Sequence, residues 1–290
     1  MLIARLIAEP AALSAHLDEA LSALAARGMR AVTTAMESGV EIAVEGGDRT
    51  ALADVLDRAL APSDMLISDH IPRIPNVFVS DMDSTMIMAE CIDELADFAG
   101  IKPQIAEITE RAMQGELDFE SALRERVLLL RDLSEEAIAE CLATRIAPMP
   151  GAQVLVETLK SKGCRTVLVT GGFHQFADPI AEQLGFERVV ANRLHVAEGK
   201  LTGGLVGGIT DSGVKKAVLL EEAAQFGEHA ISLATGDGAN DIPMLQAATY
   251  GIAYAAKPKA RAAADGWVDR GDLTGVLELL GIAREEWVWE

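Results

Sequence analysis

Two carboxylates stand two residues apart in Asp81-Met82-Asp83-Ser84-Thr85, directly after the apolar run Val77-Phe78-Val79-Ser80. This setting suits phosphoryl chemistry. One carboxylate can attack phosphorus and form an acyl phosphate. The other can protonate the leaving oxygen and then take a proton from water. The same residue types also make turns and helix caps, so the motif alone leaves both readings open. A second acidic element is Gly236-Asp237-Gly238-Ala239-Asn240-Asp241. Its glycines permit tight backbone, and its acids suit a hard cation such as magnesium, which prefers oxygen ligands. Alone, it reads equally as an acidic loop capping a helix that starts near Ala239. Thr170-Gly171-Gly172 offers a hydroxyl and backbone N–H groups to phosphoryl oxygens, although glycine turns are common. Lys215 and Lys216 follow Asp211-Ser212-Gly213-Val214 at a helix start. One of them could neutralise a transferring phosphoryl group, whereas any lysine taken singly is more often solvated.

The elements that must position these residues are short apolar runs. Val77–Ser80, Thr166–Val169 and Ile231–Thr235 each end at one of the polar motifs, and helical segments separate them. Such runs read as a buried parallel sheet, whose ligands bind beyond the carboxyl ends of its strands. Residues 86–147 read as almost wholly helical and close on Pro148-Met149-Pro150-Gly151, an inserted cap over the active edge. Residues 1–72 read as a small α+β unit, with strands at Leu2–Ile7 and Val40–Val44 and helices at Ala11–Arg27 and Ala51–Leu60. Pro72 and Pro75 punctuate the chain after it. Gly203 to Gly208 reads as a turn between hairpin strands. The expected fold class is therefore α/β: a Rossmann-like parallel sheet over residues 73–290, with a helical cap and a small N-terminal domain.

Composition excludes some partners. The chain of 290 residues is half hydrophobic and carries a net charge of -20. That charge argues against nucleic acid and anionic membranes. An anionic substrate needs local cations that overcome the overall field. Three widely spaced cysteines, without a CxxC pair, indicate neither a zinc cluster nor a disulfide framework and fit a reduced, cytoplasmic setting. No apolar run reaches the roughly 18 residues that span a bilayer.

Within the cap, Asp118 can N-cap a helix on which Phe119, Leu123, Val127 and Leu130 form an apolar stripe. Arg126 points along that stripe, unlike Arg124 and Arg131. An inward charge needs a protein acid or a bound anion, unless its head snorkels to water.

Taken together, the four polar motifs closely resemble the haloacid dehalogenase superfamily. The resemblance narrows to the phosphoserine phosphatase family through Asp81–Thr85 with Ala89-Glu90-Cys91-Ile92-Asp93-Glu94, and through Thr109 to Leu130; it spans about Val77 to Ala256. It implies hydrolysis of O-phospho-L-serine, the last step of L-serine biosynthesis, with Asp81 as nucleophile and Asp83 as general acid/base. It implies a magnesium ion on the Asp81 carboxylate, the Asp83 carbonyl and Asp237, with Asp241 orienting them. Thr170 and the Gly171 amide would bind phosphate with a lysine. The following Glu221-Glu222-Ala223-Ala224 favours Lys216, four residues before Leu220, although Lys215 and Leu219 share that spacing. Glu90 would bind the substrate ammonium and Arg126 its carboxylate. Met113 and Phe119 would exclude water, and Gly172 and Asn240 would contact substrate. The acid at position 83 separates this chemistry from the related ion pumps, which carry Thr there. The N-terminal unit weakly resembles the regulatory domain of longer relatives, where it could mediate homodimerisation, bind an amino acid or stabilise the fold. The same core would also serve a phosphotransferase or a phosphatase for another small ester. A non-catalytic amino-acid-binding protein is the remaining alternative, and the intact Asp81/Asp83 pair argues against it.

Overall fold

The structure is a computed structural model that describes residues 1–113 and 116–289. Eleven strands form one sheet in the order β2-β3-β1-β4-β11-β10-β9-β5-β6-β7-β8. Its middle is parallel: β11 (Gly266–Val268), β10 (Tyr250–Tyr254), β9 (Ser232–Gly236), β5 (Val77–Ser80), β6 (Arg165–Phe173) and β7 (Arg188–Ala197). All four residues of β5 are buried, as expected for a strand covered on both faces. The chain leaves β5 to build β6 on one side, and β9 closes the other. The switch point therefore lies at the carboxyl end of β5, where a crevice opens.

The expected cap consists of four helices: α3 (Cys91–Phe98), α4 (Lys102–Met113), α5 (Phe119–Leu129) and α6 (Glu135–Arg145). Asp118 caps α5 by accepting from the Ser121 N–H at 2.7 Å. The cap's two connections are tied together. The Met88 N–H donates to the Ala147 carbonyl at 2.9 Å, and the Met149 N–H to the Met86 carbonyl at 2.8 Å.

The glycine-rich segment differs from its expected role. Gly203 and Gly204 lie within β8 (Lys200–Val206), and the hairpin turns at Glu198 and Gly199, both at positive φ. Gly203 also has positive φ, and a Cβ there would press on Arg131 and Leu128 of the cap. The glycine serves close packing of this strand against α5 rather than the turn.

The N-terminal segment comprises β1 (Leu2–Ala8), α1 (Pro10–Ala26), β2 (Arg30–Ala35), β3 (Val40–Glu45), α2 (Arg49–Leu60) and β4 (Ser63–Ser68). Its sheet is not separate from the core: β4 pairs antiparallel with β11. A Cβ on Gly266 would overlap the Met65 carbonyl, so glycine permits this seam. Trp267 crosses it. Its indole N–H donates to the Ser63 carbonyl at 2.9 Å, and the Arg261 guanidinium lies 3.9 Å from its ring centre. Arg261 also pairs with Asp57 of α2 at 2.9 Å. Among the described residues, no helix is long and apolar enough to cross a membrane.

Trp267→Ala is expected to cost about 3–5 kcal/mol by opening the seam. Urea denaturation measures it, and an unchanged midpoint would mean that the seam contributes nothing.

Candidate active site

Strand ends deliver the acids. The Asp81 N–H continues the ladder to the Thr235 carbonyl of β9 at 3.0 Å, which fixes the residue directly beyond β5. One Asp81 carboxylate oxygen accepts from the Met82 N–H at 2.7 Å, and the other meets Lys215 Nζ at 2.7 Å. The chain then turns through Ser84, a non-glycine residue at φ 55. Asp83 accepts from the Cys91 N–H at 3.2 Å, at the start of α3. Burial, with the charges of Glu90 and Asp81 nearby, pushes the Asp83 carboxyl up to about 8. A carboxyl raised in this way keeps its proton more readily than a free one.

The lysine expectation needs correction. Lys215 is the buried one, 1% exposed, and it reaches Asp81 and Asp241, each at 2.7 Å. Lys216 is exposed. The helix explains why. On α9 (Ser212–Ala224), Lys215 shares its inward face with buried Leu219, while Lys216 shares an outward face with exposed Leu220. Asp211 starts this helix by accepting from the Val214 N–H at 2.9 Å. Burial opposes the charge on Lys215, but Asp81 and Asp241 outweigh it and raise the group above its ordinary value.

The second acidic loop follows β9. Oxygen atoms of Asp81, Asp237 and Asp241, all buried, lie within 4.8 Å of one another. Asp241 accepts from the Gly238 N–H at 3.0 Å. A Cβ on Gly236 would overlap the Asp241 side chain, so this strand must end in glycine. Burial and the Asp81 charge push the Asp241 carboxyl up to about 7, against the lowering pull of Lys215. Asp237 is likewise raised by burial, with Lys257 opposing. Three crowded carboxylates offer a set of oxygen donors suited to a hard divalent cation.

Thr170, Gly171 and Gly172 complete the floor. The Thr170 hydroxyl accepts from the Gly172 N–H at 2.9 Å. A Cβ on Gly172 would stand 3.1 Å from Asp83 Oδ2 and narrow the site. Above the floor, the Phe119 ring lies over Gly171.

A cleft of about 130 Å³ joins cap and core. It brings together Asp81, Asp83, Glu90, Phe119, Arg126, Thr170, Gly171, Gly172, Asp237 and Asn240. The expected contribution of the Met113 side chain lies outside the described residues. Glu90 accepts from the Ser84 hydroxyl at 2.8 Å, and burial raises its carboxyl. Arg126 is half-buried, and its Nε donates to the Ala122 carbonyl at 3.3 Å. Among the described residues, no carboxylate lies within salt-bridge distance of Arg126. Lys257 is a further lining residue, 3.3 Å from Asp237. Its signal in the sequence is the short apolar strand Tyr250–Tyr254, a fourth parallel strand whose carboxyl end leads to it.

The family model for haloacid dehalogenase-like hydrolases matches residues 78–246. A phosphoserine phosphatase from Vibrio cholerae serotype O1 is 40% identical over 256 residues, covering 86% of this chain and 77% of that protein. The crystal structure of a probable phosphoserine phosphatase from Vibrio cholerae, unliganded, superposes with a TM-score of 0.76 and 34% identity; the match covers 98% of this chain and 88% of that one. A phospho-aspartyl intermediate analogue of phosphoserine phosphatase superposes with a TM-score of 0.64 and 38% identity, covering 71% and 99%.

Lys215→Met should lower turnover by about 100- to 1,000-fold. Lys216→Ala should stay within about twofold, as for other surface changes. Steady-state rates on the folded variants check this, and equal losses would overturn the assignment by helix face. A second expectation concerns pH. Asp241 is raised in the fold from its ordinary 3.8 to about 7. The fold thus holds the proton better than the unfolded chain does. That contribution is present at low pH and is lost as pH rises across this window. A divalent cation at these acids would require them deprotonated, so any rise in Tm on adding magnesium should be larger at about pH 8 than at about pH 5. Calorimetry across that range checks the sign.

Proposed function

The chain belongs to the haloacid dehalogenase-like hydrolases and is a phosphomonoester hydrolase, and we propose that it releases phosphate from O-phospho-L-serine through an aspartyl phosphate on Asp81. The observation that carries this reading is a single cleft lined by two differently equipped sets of residues. One set is Asp81, Asp83 and Thr170, with Lys215 bonded to Asp81. The other is a half-buried acid, Glu90, and a half-buried cation, Arg126. An amino acid esterified to phosphate presents the complementary groups: an ammonium for Glu90, a carboxylate for Arg126 and a phosphoryl group for the core.

In the first half-reaction, an Asp81 carboxylate oxygen attacks phosphorus as the bond from phosphorus to the serine oxygen breaks. Asp83 gives that oxygen its proton, and serine leaves. In the second, Asp83 takes a proton from water as the water oxygen attacks phosphorus. Inorganic phosphate is released and the Asp81 carboxylate is restored. Lys215 offsets charge on the phosphoryl oxygens and holds the Asp81 carboxylate in place. Thr170 and the glycines after it hold the phosphoryl group, and Phe119 over Gly171 excludes solvent. Gly172 and Asn240 line the path of the substrate.

The Asp81 and Asp237 carboxylates with the Asp83 main-chain carbonyl would hold a magnesium ion, and Asp241 would keep them in place. When bound, the ion supplies further neutralisation of phosphoryl charge. The relative solved as a phospho-aspartyl intermediate analogue supports the covalent route. The activity places the chain at the step that liberates L-serine from its phosphate ester. Three free, buried cysteines fit work in the reducing cytoplasm.

Phosphate release from a panel of small esters, with and without magnesium, tests the reading. L-phosphoserine should be preferred by about tenfold or more over phosphothreonine and sugar phosphates, as expected where site groups pair with a substrate's own polar groups. Asp81→Asn should abolish turnover while the protein remains folded. Preference for another ester would remove the substrate assignment, and near-normal turnover in the variant would remove the nucleophile.

A further inference from the structure

The phosphate floor is not regular strand. β6 keeps parallel register with β7 up to Val169 opposite Val190, then regains it at Phe173 opposite Asn192. Thr170, Gly171 and Gly172 therefore face one residue of β7, Ala191. Such a bulge removes main-chain groups from the ladder. Buried groups released in this way need other partners.

One side chain supplies the partner. Asn192, 1% exposed, donates from Nδ2 to the Gly171 carbonyl at 2.7 Å. Its Oδ1 accepts from the Thr210 N–H at 2.8 Å. Thr210 is itself buried and directly precedes Asp211, the cap of the helix that carries Lys215. A single amide thus joins the main chain of the phosphate floor to the main chain that launches the lysine helix. The residue type is dictated by these partners. A carbonyl can only accept and a main-chain N–H can only donate, so the link needs one donor and one acceptor on a planar group. Aspartate could keep the Thr210 bond, but it would set an oxygen against the Gly171 carbonyl. Asn192 does not itself line the cleft.

We infer that Asn192 is a positioning residue that sets the Thr170–Gly172 floor in register with Lys215, so that both meet the same phosphoryl group. This rests on the proposed reading of those residues as phosphate-binding. A purely structural asparagine would affect folding alone. A positioning one acts selectively on the phosphate-binding residues and leaves the Glu90/Arg126 pair intact.

The test compares wild type with Asn192→Asp and Asn192→Ala in the presence of magnesium, below the unfolding temperature of each. Calorimetry measures affinity for inorganic phosphate and, separately, for L-serine. Asn192→Asp should bind phosphate about tenfold or more weakly, bind L-serine within about twofold of wild type, and lose a similar factor in kcat, the scale expected when a reacting group is misplaced. If Asn192→Ala proves too unstable to handle, the near-isosteric Asn192→Asp gives the same readout. Unchanged phosphate affinity and kcat, with only a lower Tm, would overturn the inference. So would equal losses for phosphate and serine, which would indicate general damage. A wild-type protein that binds no phosphate would instead remove the reading on which the inference rests.

Discussion

The site is organised around one buried ammonium group. Lys215 is 1% exposed and lies 2.7 Å from both Asp81 and Asp241. Removing one partner from such a buried arrangement typically costs about 3–5 kcal/mol, because the remaining charges stay dry and unpaired. The constraint works in both directions. The lysine pulls the Asp241 carboxyl down against burial and the Asp81 charge. Without the acids, the lysine would not be charged at that depth. The strand order that places β5 between β6 and β9, the glycine at position 236 and the Asp211 cap can all be read as means of bringing this cation to those anions.

Much of this was legible in the sequence, because the polar motifs end apolar runs of strand length. The Asp81/Asp83 pair, the Thr170 turn and the Asp237–Asp241 loop needed no tertiary information beyond the rule that parallel strands share an active edge. The lysine was less legible. Lys215 with Leu219 and Lys216 with Leu220 have identical spacing, and only the direction in which α9 meets the sheet separates them. Two of the strands that escaped notice, β2 and β4, did so for opposite reasons. β2 is mostly exposed at the sheet's edge and shows no alternation, whereas β4 is wholly buried yet begins with polar residues. Asp64 in β4 accepts from the Asp269 and Arg270 N–H groups at 2.8 and 2.9 Å, partners 205 and 206 residues away that no local pattern announces.

The electrostatics of the whole chain and of its cleft have opposite tendencies. A net charge of -20 should repel a phosphate ester, yet three of the chain's basic side chains gather at this cleft: Lys215, Arg126 and Lys257. They differ in function because they differ in setting. Lys215 is locked by two acids, Arg126 is half-buried with only a main-chain carbonyl as its described partner, and Lys257 leans on Asp237 from a largely exposed position. Local placement decides attraction here, since the surface charges are screened over about 8 to 10 Å of saline while those in the cleft are not.

The pair of hydrogen bonds at the base of the cap has a consequence for inheritance. Met88 with Ala147, and Met149 with Met86, bring the entry and exit of the inserted helices side by side. Seen from the core, some sixty residues are a loop whose ends already touch. Asp81, Thr170, Lys215 and Asp237 all lie outside that loop, while Glu90 and Arg126 lie within it. On the proposed assignment, the part that breaks the phosphate bond and the part that reads the rest of the molecule can thus accumulate changes largely apart. A new clientele can be acquired by rewriting the loop, provided that the Cys91 N–H stays on Asp83 and Phe119 over Gly171.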